Sequence, residues 1–449
     1  MSERFDEHVA NAVLGIDTLW GGDVMNPSGL GRFIADSWFS DARLPAAYTH
    51  ATAAKVRETG GVSAKAPDRA AIEAYLAAVD VRGAIAALAG EAGGMSGLRG
   101  RYVAGLALCF EVMWDLAMEI LGKGEPVPYE RCVLASTGEK PTPSEPAAKR
   151  ARVQELLARA GHPSRGDADL LAAVDAWRAA RYVPMASVRS VGDAYIARYR
   201  ALAERNLRPY LPRELGDVPM DNIEFLPIKD AWFSGSMNYL GRKRRPDGRP
   251  EYEASYEINA SLQITVPEFE QLVSHEVVPG HVTTFAFLQD LFWRKRVGFE
   301  ASVLTMNTRA ATLFEGIANN GILIALGVTE PDEIPDEDLR IGLLLALLQD
   351  DAKNQASYLT WKERAAEPDV AVALRRDFLV SEERARKFAG PWGRHPLLGR
   401  MYLPCYRAGT DLVAELRRRH APGKLLPVLY GCTGLVDCTT IGEALEGRA

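Results

Sequence analysis

The sequence predicts a mainly α fold, with helical bundle lobes and a small β-sheet beside a helix that carries a His-Glu pair. Three observations lead there. Apolar residues recur at three- and four-residue spacing through most of the chain, the period of a helix with one buried face. Two stretches, Trp232–Leu240 and Glu251–Thr265, are instead rich in alternating or β-prone residues. Prolines gather at 126–146 and 209–219, between the helical blocks. At 449 residues the chain exceeds what one ordinary core serves. An N-terminal helical region over 1–146 and a catalytic region over 147–449, closely packed together, are therefore expected.

The elements follow in order. Asp68–Leu88 and Gly105–Leu121 have helical apolar spacing. Gly122 to Pro146 carries five prolines (126, 128, 141, 143 and 146) and reads as a long loop or a boundary. Helices are expected at Ala147–Ala160 and Val188–Asn206, after which Pro209, Pro212 and Pro219 break the pattern. The two β-prone stretches are joined by Gly241 to Arg249, whose Gly, Pro and Asp-Gly signals suit a loop between strands. Its basic cluster suits a solvated loop, or one that meets an acidic substrate. Pro267 stands where a first helical turn accepts proline, and Glu268 and Glu270 suit the positive end of the helix dipole. Helices are expected at Pro267–Val278, His281–Val297, Ala301–Val328, Asp336–Ala366, Asp369–Ala389 and Tyr402–His420.

Composition bounds the function. The formal net charge of −6 leaves no excess of Lys and Arg to neutralise phosphates, so no nucleic-acid partner is expected. No uninterrupted apolar run approaches the roughly 20 residues of a membrane span. Cys109, Cys132, Cys405, Cys432 and Cys438 form no CxxC pair and read as free thiols of a reducing compartment. The first residues, MSERFDEHVANAV, lack the apolar core of a signal peptide. A cytoplasmic location is expected on these grounds.

The chemistry is concentrated in Leu272-Val-Ser-His275-Glu276-Val-Val-Pro279-Gly280-His281. In HExxH, two histidines four apart share one helix face and the Glu serves as general base. Here the second histidine comes six residues after the first. On an unbroken helix that is about 600° of rotation, roughly a third of a turn off the metal face. Pro279 and Gly280 offer the remedy, since proline ends a helix and glycine accepts a tight turn. The helix is expected to end near Val278, turn at Pro279–Gly280, and bring His281 back to the same metal. A third donor comes from Leu313-Phe-Glu315-Gly-Ile-Ala-Asn319 on a later helix. Asn319, one turn beyond Glu315, is placed to hydrogen-bond a ligand histidine. Two His and one Glu leave a position open for water, as catalytic sites do. Each residue alone could be an ordinary core histidine or a paired glutamate. Together they fall in one stretch of a chain with seven histidines.

With these motifs, residues 190–420 resemble the bacterial family labelled domain of unknown function 885, regarded as gluzincin-like metallopeptidases with an HE-x-x-PGH motif. The matched residues are His275-Glu276, Pro279-Gly280-His281 and Glu315-Gly316-x-Ala318, with a weaker match at Pro404-Cys-Tyr406-Arg407-Ala-Gly409. Val282, Ile317, Asn320 and Ile322 stand where the family has other residues, which points to a specialised small substrate. The resemblance implies a gluzincin-like metallohydrolase cleaving an amide or peptide bond in a peptide or small N-acyl substrate. One Zn2+ suits the His/Glu donors, and manganese, iron or cobalt can take the same ones. Glu276 would move the proton. Tyr406 is the first candidate for the oxyanion donor, with Arg407 and His395 next. Gluzincins hold substrate along an edge strand upstream of the HE helix. Tyr256–Ala260 is placed for that, with Asn259 its polar handle. Two other readings remain at this stage: a lyase or isomerase acting on a biosynthetic small molecule, and a non-catalytic metal-binding scaffold. Oligomeric state is not set by the sequence.

Overall fold

The computed structural model describes residues 3–21, 69–228, 235–239, 241, 243–259 and 263–447. The fold is mainly helical with one three-stranded sheet. The N-terminal helices are α1 (Glu3–Gly21), α2 (Arg69–Ala78), α3 (Val81–Gly93), α4 (Gly97–Ile120) and α5 (Tyr129–Thr137). Then come α6 (Ala147–Arg159), α7 (Asp167–Ala179) and α8 (Val188–Asn206). The sheet is formed by β1 (Ile223–Ile228), β2 (Gly235–Tyr239) and β3 (Ala254–Asn259). The helices that follow are α9 (Val266–Glu276), α10 (His281–Trp293), α11 (Arg309–Asn319), α12 (Gly321–Leu326) and α13 (Glu337–Ser357). The chain closes with α14 (Glu367–Phe378), α15 (Glu382–Lys387), α16 (Leu403–Arg419), α17 (Pro422–Leu429) and α18 (Ile441–Leu445).

Local side-chain chemistry moves several boundaries from where periodicity puts them. The helix expected over Asp68–Leu88 is two helices, with Asp68 outside the described residues. Asp80 takes a left-handed conformation (φ 48°) between them, and its carboxylate accepts from Gly83 N at 3.1 Å to cap α3. The helix expected from Gly105 begins at Gly97. The stretch 122–146, expected to be a loop, contains α5, and α7 was not expected at all. Asp336–Ala366 ends as an α-helix at Ser357, and Leu379 (φ 57°) breaks Asp369–Ala389. The span Ala301–Val328 divides at Asn307 (φ 69°), where Thr308 caps α11 by accepting from Ala311 N at 3.1 Å. Short polar side chains hydrogen-bond nearby backbone, and these breaks hide inside an apolar periodicity.

The sheet order is β1-β3-β2, with β3 parallel to β1 and antiparallel to β2. β2 and β3 are the two expected strands, shortened; Trp232–Ser234 and Leu240 lie outside the described residues. β1 was missed. The main apolar core runs from Val9 and Val13 in α1 to Ile441 in α18, so it draws on both 1–146 and 147–449. A second core around Trp177, Leu348 and Leu374 joins α6, α7, α13 and α14. No helix of the described residues is long and apolar enough to cross a membrane.

Helices α11 and α16 cross closely, and glycine makes that possible. A Cβ on Gly409 would lie 1.9 Å from Thr312 O, and one on Gly316 would lie 2.2 Å from Gly409 O. Backbone meets backbone there, so no side-chain rearrangement can relieve the overlap. Gly409→Ala is expected to destabilise the fold by about 1–3 kcal/mol through overpacking, against alanine's usual helical advantage. Gly90→Ala, in α3 with nothing within 4 Å, is the control and should be neutral or stabilising. Urea unfolding of the two variants checks both.

Candidate metal centre

Helix α9 is started by a complete capping box. Thr265 accepts from Glu268 N, and the Glu268 carboxylate accepts from Thr265 N. The helix ends at Glu276, ahead of the expected Val278, so His275 and Glu276 are its last two residues. Val277 to Gly280 then form the turn, with a cis peptide between Val278 and Pro279. A Cβ on Gly280 would fall 1.7 Å from His275 O and 2.7 Å from Ser274 O. Only glycine lets the chain double back this tightly. Gly280 N donates to Ser274 O at 3.1 Å, and α10 starts with His281 as its first residue. The six-residue spacing thus becomes a helix end facing a helix start.

Glu315 on α11 completes the group. One ligand atom from each of His275, His281 and Glu315 can be chosen so that all lie within 4.8 Å of one another, and all three residues are buried. His275 Nε2 is 3.6 Å from Glu315 Oε2, and His281 Nε2 is 3.7 Å from Glu315 Oε1. The two imidazoles meet edge to face at 4.8 Å, and Phe285, one turn along α10, stacks on His281.

The residues fit a metal ion on their own chemistry. Burial pushes His281 down to about 4, and His275 is held well below its ordinary range by burial and by His281. Both are therefore neutral imidazoles, the form that coordinates. Burial and the Glu315 charge push Glu276 up to about 8, and burial pushes Glu315 up to about 7. A divalent cation would supply the positive charge these buried carboxylates lack. His281 Nδ1 and Glu315 Oε2 are buried with no hydrogen-bond partner among the described residues.

A ring of polar groups orients the donors. His275 Nδ1 lies 2.7 Å from Asn319 Oδ1. An amide oxygen only accepts, so His275 carries its proton on Nδ1 and presents a bare Nε2. Asn319 Nδ2 in turn donates to Asp350 Oδ2 and to Thr410 Oγ1, both at 2.8 Å. Lys353 Nζ donates to Asp350 Oδ1 at 3.0 Å. Tyr402 Oη donates to Glu315 Oε1 at 2.5 Å.

His275, Glu276, His281, Glu315 and Asn319 are thus brought together as the sequence suggests. Tyr406 stands next to the group rather than on it. Its ring meets that of Tyr402 at 4.9 Å, and Lys353 Nζ lies 3.2 Å above its centroid. It is Tyr402, not singled out from the sequence, that bonds the ligand glutamate. Arg407 is engaged elsewhere: its guanidinium donates to Pro143 O, Ser144 Oγ and Thr142 Oγ1. His395 Nδ1 accepts from Leu397 N and Leu398 N, fixing the start of the π turn Leu398–Tyr402 that carries Tyr402. The edge-strand role expected for Tyr256–Ala260 is corrected. β3 is the central strand, paired through Asn259 with Ile228 on one side and through Ile258 with Gly235 on the other. Its backbone is committed to its neighbours, and Ala260 lies outside the described residues. Besides Tyr402, sequence reasoning missed Asp350, Lys353 and Thr410. An acid and a base three residues apart, just after the apolar run Ile341–Leu348, were the available signal for the first two.

No family model matches the chain, and no curated protein matches it. Solved structures do share the fold. One is described as a putative lipoprotein from Colwellia psychrerythraea: TM-score 0.52, 14% identity, 82% of this chain and 69% of that one covered. Another is described as a putative lipoprotein of unknown function from Shewanella oneidensis: TM-score 0.52, 13% identity, 92% and 83% covered. Identity this low shows a common fold and no more. The cytoplasmic expectation is not upheld: both of these similarly folded chains are described as putative lipoproteins. Free cysteines and an N-terminus without an apolar core do not fix a compartment.

The unchanged chain should purify with a bound metal and His281→Ala without it, which elemental analysis reads directly. Asn319→Ala should keep the three ligands but weaken metal affinity about 10–100-fold, through loss of the support behind His275. Competition with a metal chelator measures it.

Proposed function

We propose that this chain is a gluzincin-like metal-dependent hydrolase of amide or peptide bonds, with one Zn2+ held by His275, His281 and Glu315. The observation that carries the proposal is Glu276. It adjoins the ligand His275, with Oε1 3.9 Å from His275 Nε2, yet it is not one of the three clustered donors. Its side chain is 18% exposed, more than those of the three clustered donors. A purely structural metal site has no use for a free carboxylate in that place. A general base does, and the carboxylate beside His275 stands where it could take a proton and return it.

When bound, the metal supplies Lewis-acid chemistry, polarising a carbonyl and acidifying water. Glu276 takes the proton from water and hands it to the departing amine. Asn319 holds His275, and Tyr402 holds Glu315, so the donors are set before substrate arrives. Tyr406, beside Tyr402, remains the first candidate to donate to the oxyanion. The HE-x-x-PGH and Glu315-Gly316 matches support the same assignment. Replacement of family residues by Val282 and Ile317 favours a small peptide or N-acyl substrate.

Glu276→Gln should keep its metal and lose turnover by about 10²–10⁴-fold, the usual worth of a general base. The assay is amine release from a panel of dipeptides and N-acyl amino acids by the zinc-loaded protein. Undiminished hydrolysis in that variant would remove Glu276 from its role.

A further inference from the structure

Resting on the three-donor metal site of that assignment, we propose that Lys353 is a positioning residue shared by two of the ligands, acting through Asp350 on His275 and through Tyr406 on Glu315. The observation is one ammonium in two contacts. Lys353 Nζ donates to Asp350 Oδ1 at 3.0 Å and lies 3.2 Å from the centroid of the Tyr406 ring. Lys353 is buried, and a buried lysine needs groups that answer its charge. The Asp350 carboxylate is one such group, and the negative face of the ring is the other.

Each contact leads to a different ligand. Asp350 Oδ2 accepts from Asn319 Nδ2 at 2.8 Å, and Asn319 Oδ1 lies 2.7 Å from His275 Nδ1. The Tyr406 ring meets that of Tyr402 edge to face at 4.9 Å, and Tyr402 Oη donates to Glu315 Oε1 at 2.5 Å. Helix spacing explains how one group serves both. Glu315 and Asn319 stand about one turn apart on α11, Asp350 and Lys353 on α13, and Tyr406 and Thr410 on α16. Asn319, Asp350 and Thr410, one from each pair, make the hydrogen-bonded line behind His275. Glu315, Lys353 and Tyr406, the other three, belong to the second line, which Tyr402 completes. An ammonium needed only to neutralise Asp350 has no use for a ring that packs on the tyrosine bound to a ligand. Lys353 stands where the two lines meet, so its charge holds two donors that are far apart in the chain.

A mutant cycle read by Zn2+ affinity tests this, with chelator competition on the full chain. Lys353→Met keeps most of the side chain's length and removes its charge. It should weaken Zn2+ binding about tenfold, within the range for groups behind a metal ligand. With Asn319→Ala, which cuts the His275 line, Lys353→Met should still cost about threefold through Glu315. With Asn319→Ala and Tyr402→Phe together both lines are cut, and it should cost no more than about twofold. The visible absorption of bound Co2+ should shift on Lys353→Met in the unchanged chain and stay in place when both lines are cut, which a loss of fold stability alone does not produce. No loss in the Asn319→Ala background would make Lys353 a counter-ion to Asp350 only, and would overturn the inference. An undiminished loss with both lines cut would overturn it as well. Where Lys353→Met does not fold, Lys353→Gln takes its place, keeping a donor for Asp350 without the charge that faces Tyr406. Its cost should persist with Asn319→Ala and vanish with Tyr402→Phe, and the reverse pattern overturns the inference. Zinc binding in the expected pattern without amide hydrolysis would remove the hydrolase assignment and leave this inference standing. An unchanged chain that binds no zinc would overturn both.

Discussion

One buried amide holds the site together. Asn319 faces His275 with its oxygen and faces Asp350 and Thr410 with its nitrogen. Its three contacts come from α9, α13 and α16, and Asn319 itself ends α11. Four helices therefore meet on a side chain that cannot rotate without breaking bonds that burial makes expensive to lose. The amide has an acceptor end and a donor end, and an ionised Asp350 can accept with both oxygens, from Asn319 and from Lys353. Lys353 secures that charge at 3.0 Å, opposing the rise that burial imposes on the carboxyl. The chain Lys353, Asp350, Asn319, His275 is thus a line of fixed polarity, and its last member presents a bare Nε2 to the cluster.

Close backbone approach is the second constraint, and it sets where the other donors stand. Gly280 lets the chain reverse within van der Waals reach of the helix it has just left, so His281 returns toward His275. The contact between Gly316 and Gly409 draws α16 onto α11 beside Glu315. The π turn at the start of α16 then delivers Tyr402 to that glutamate, and His395 pins the turn from its other end. Glycine at 280, 316 and 409 therefore does for the ligand helices what Asn319 does for the ligand ring. In each case the nearest clashing atom belongs to backbone, which has nowhere to move.

The ligand set was legible because its chemistry is local in sequence. Histidine beside glutamate, a Pro-Gly break, a returning histidine and a Glu-Gly pair all carry a residue-level signature. The break itself could be derived from helix rotation alone. The supporting groups were less legible. Asp350, Lys353 and Thr410 are ordinary residues whose meaning comes from what packs against them. Tyr402, four residues before the candidate Tyr406, carries no signal of its own in the sequence, and only the π turn decides that it reaches Glu315. Helix breaks at Asp80 and Asn307 were hidden for a related reason: one polar side chain in a left-handed or capping position interrupts a pattern that apolar spacing reads as continuous.

The sheet draws the boundary most clearly. Periodicity and turn residues marked the β2–β3 hairpin, because a hairpin is a contact between neighbours in sequence. β1 is separated from β3 in sequence by β2 yet pairs with it in parallel, and no local pattern announces such a partner. Its arrival turns the presumed edge strand into a central one and removes its backbone from substrate binding. By itself, the sequence determined a mainly α chain and pointed to three candidate metal donors with a carboxylate beside them, since those depend on residue type and spacing. The tertiary structure alone decided which tyrosine holds Glu315, which groups orient His275, and which strand lies in the middle. Those depend on contacts between residues far apart in the chain, where spacing carries no information.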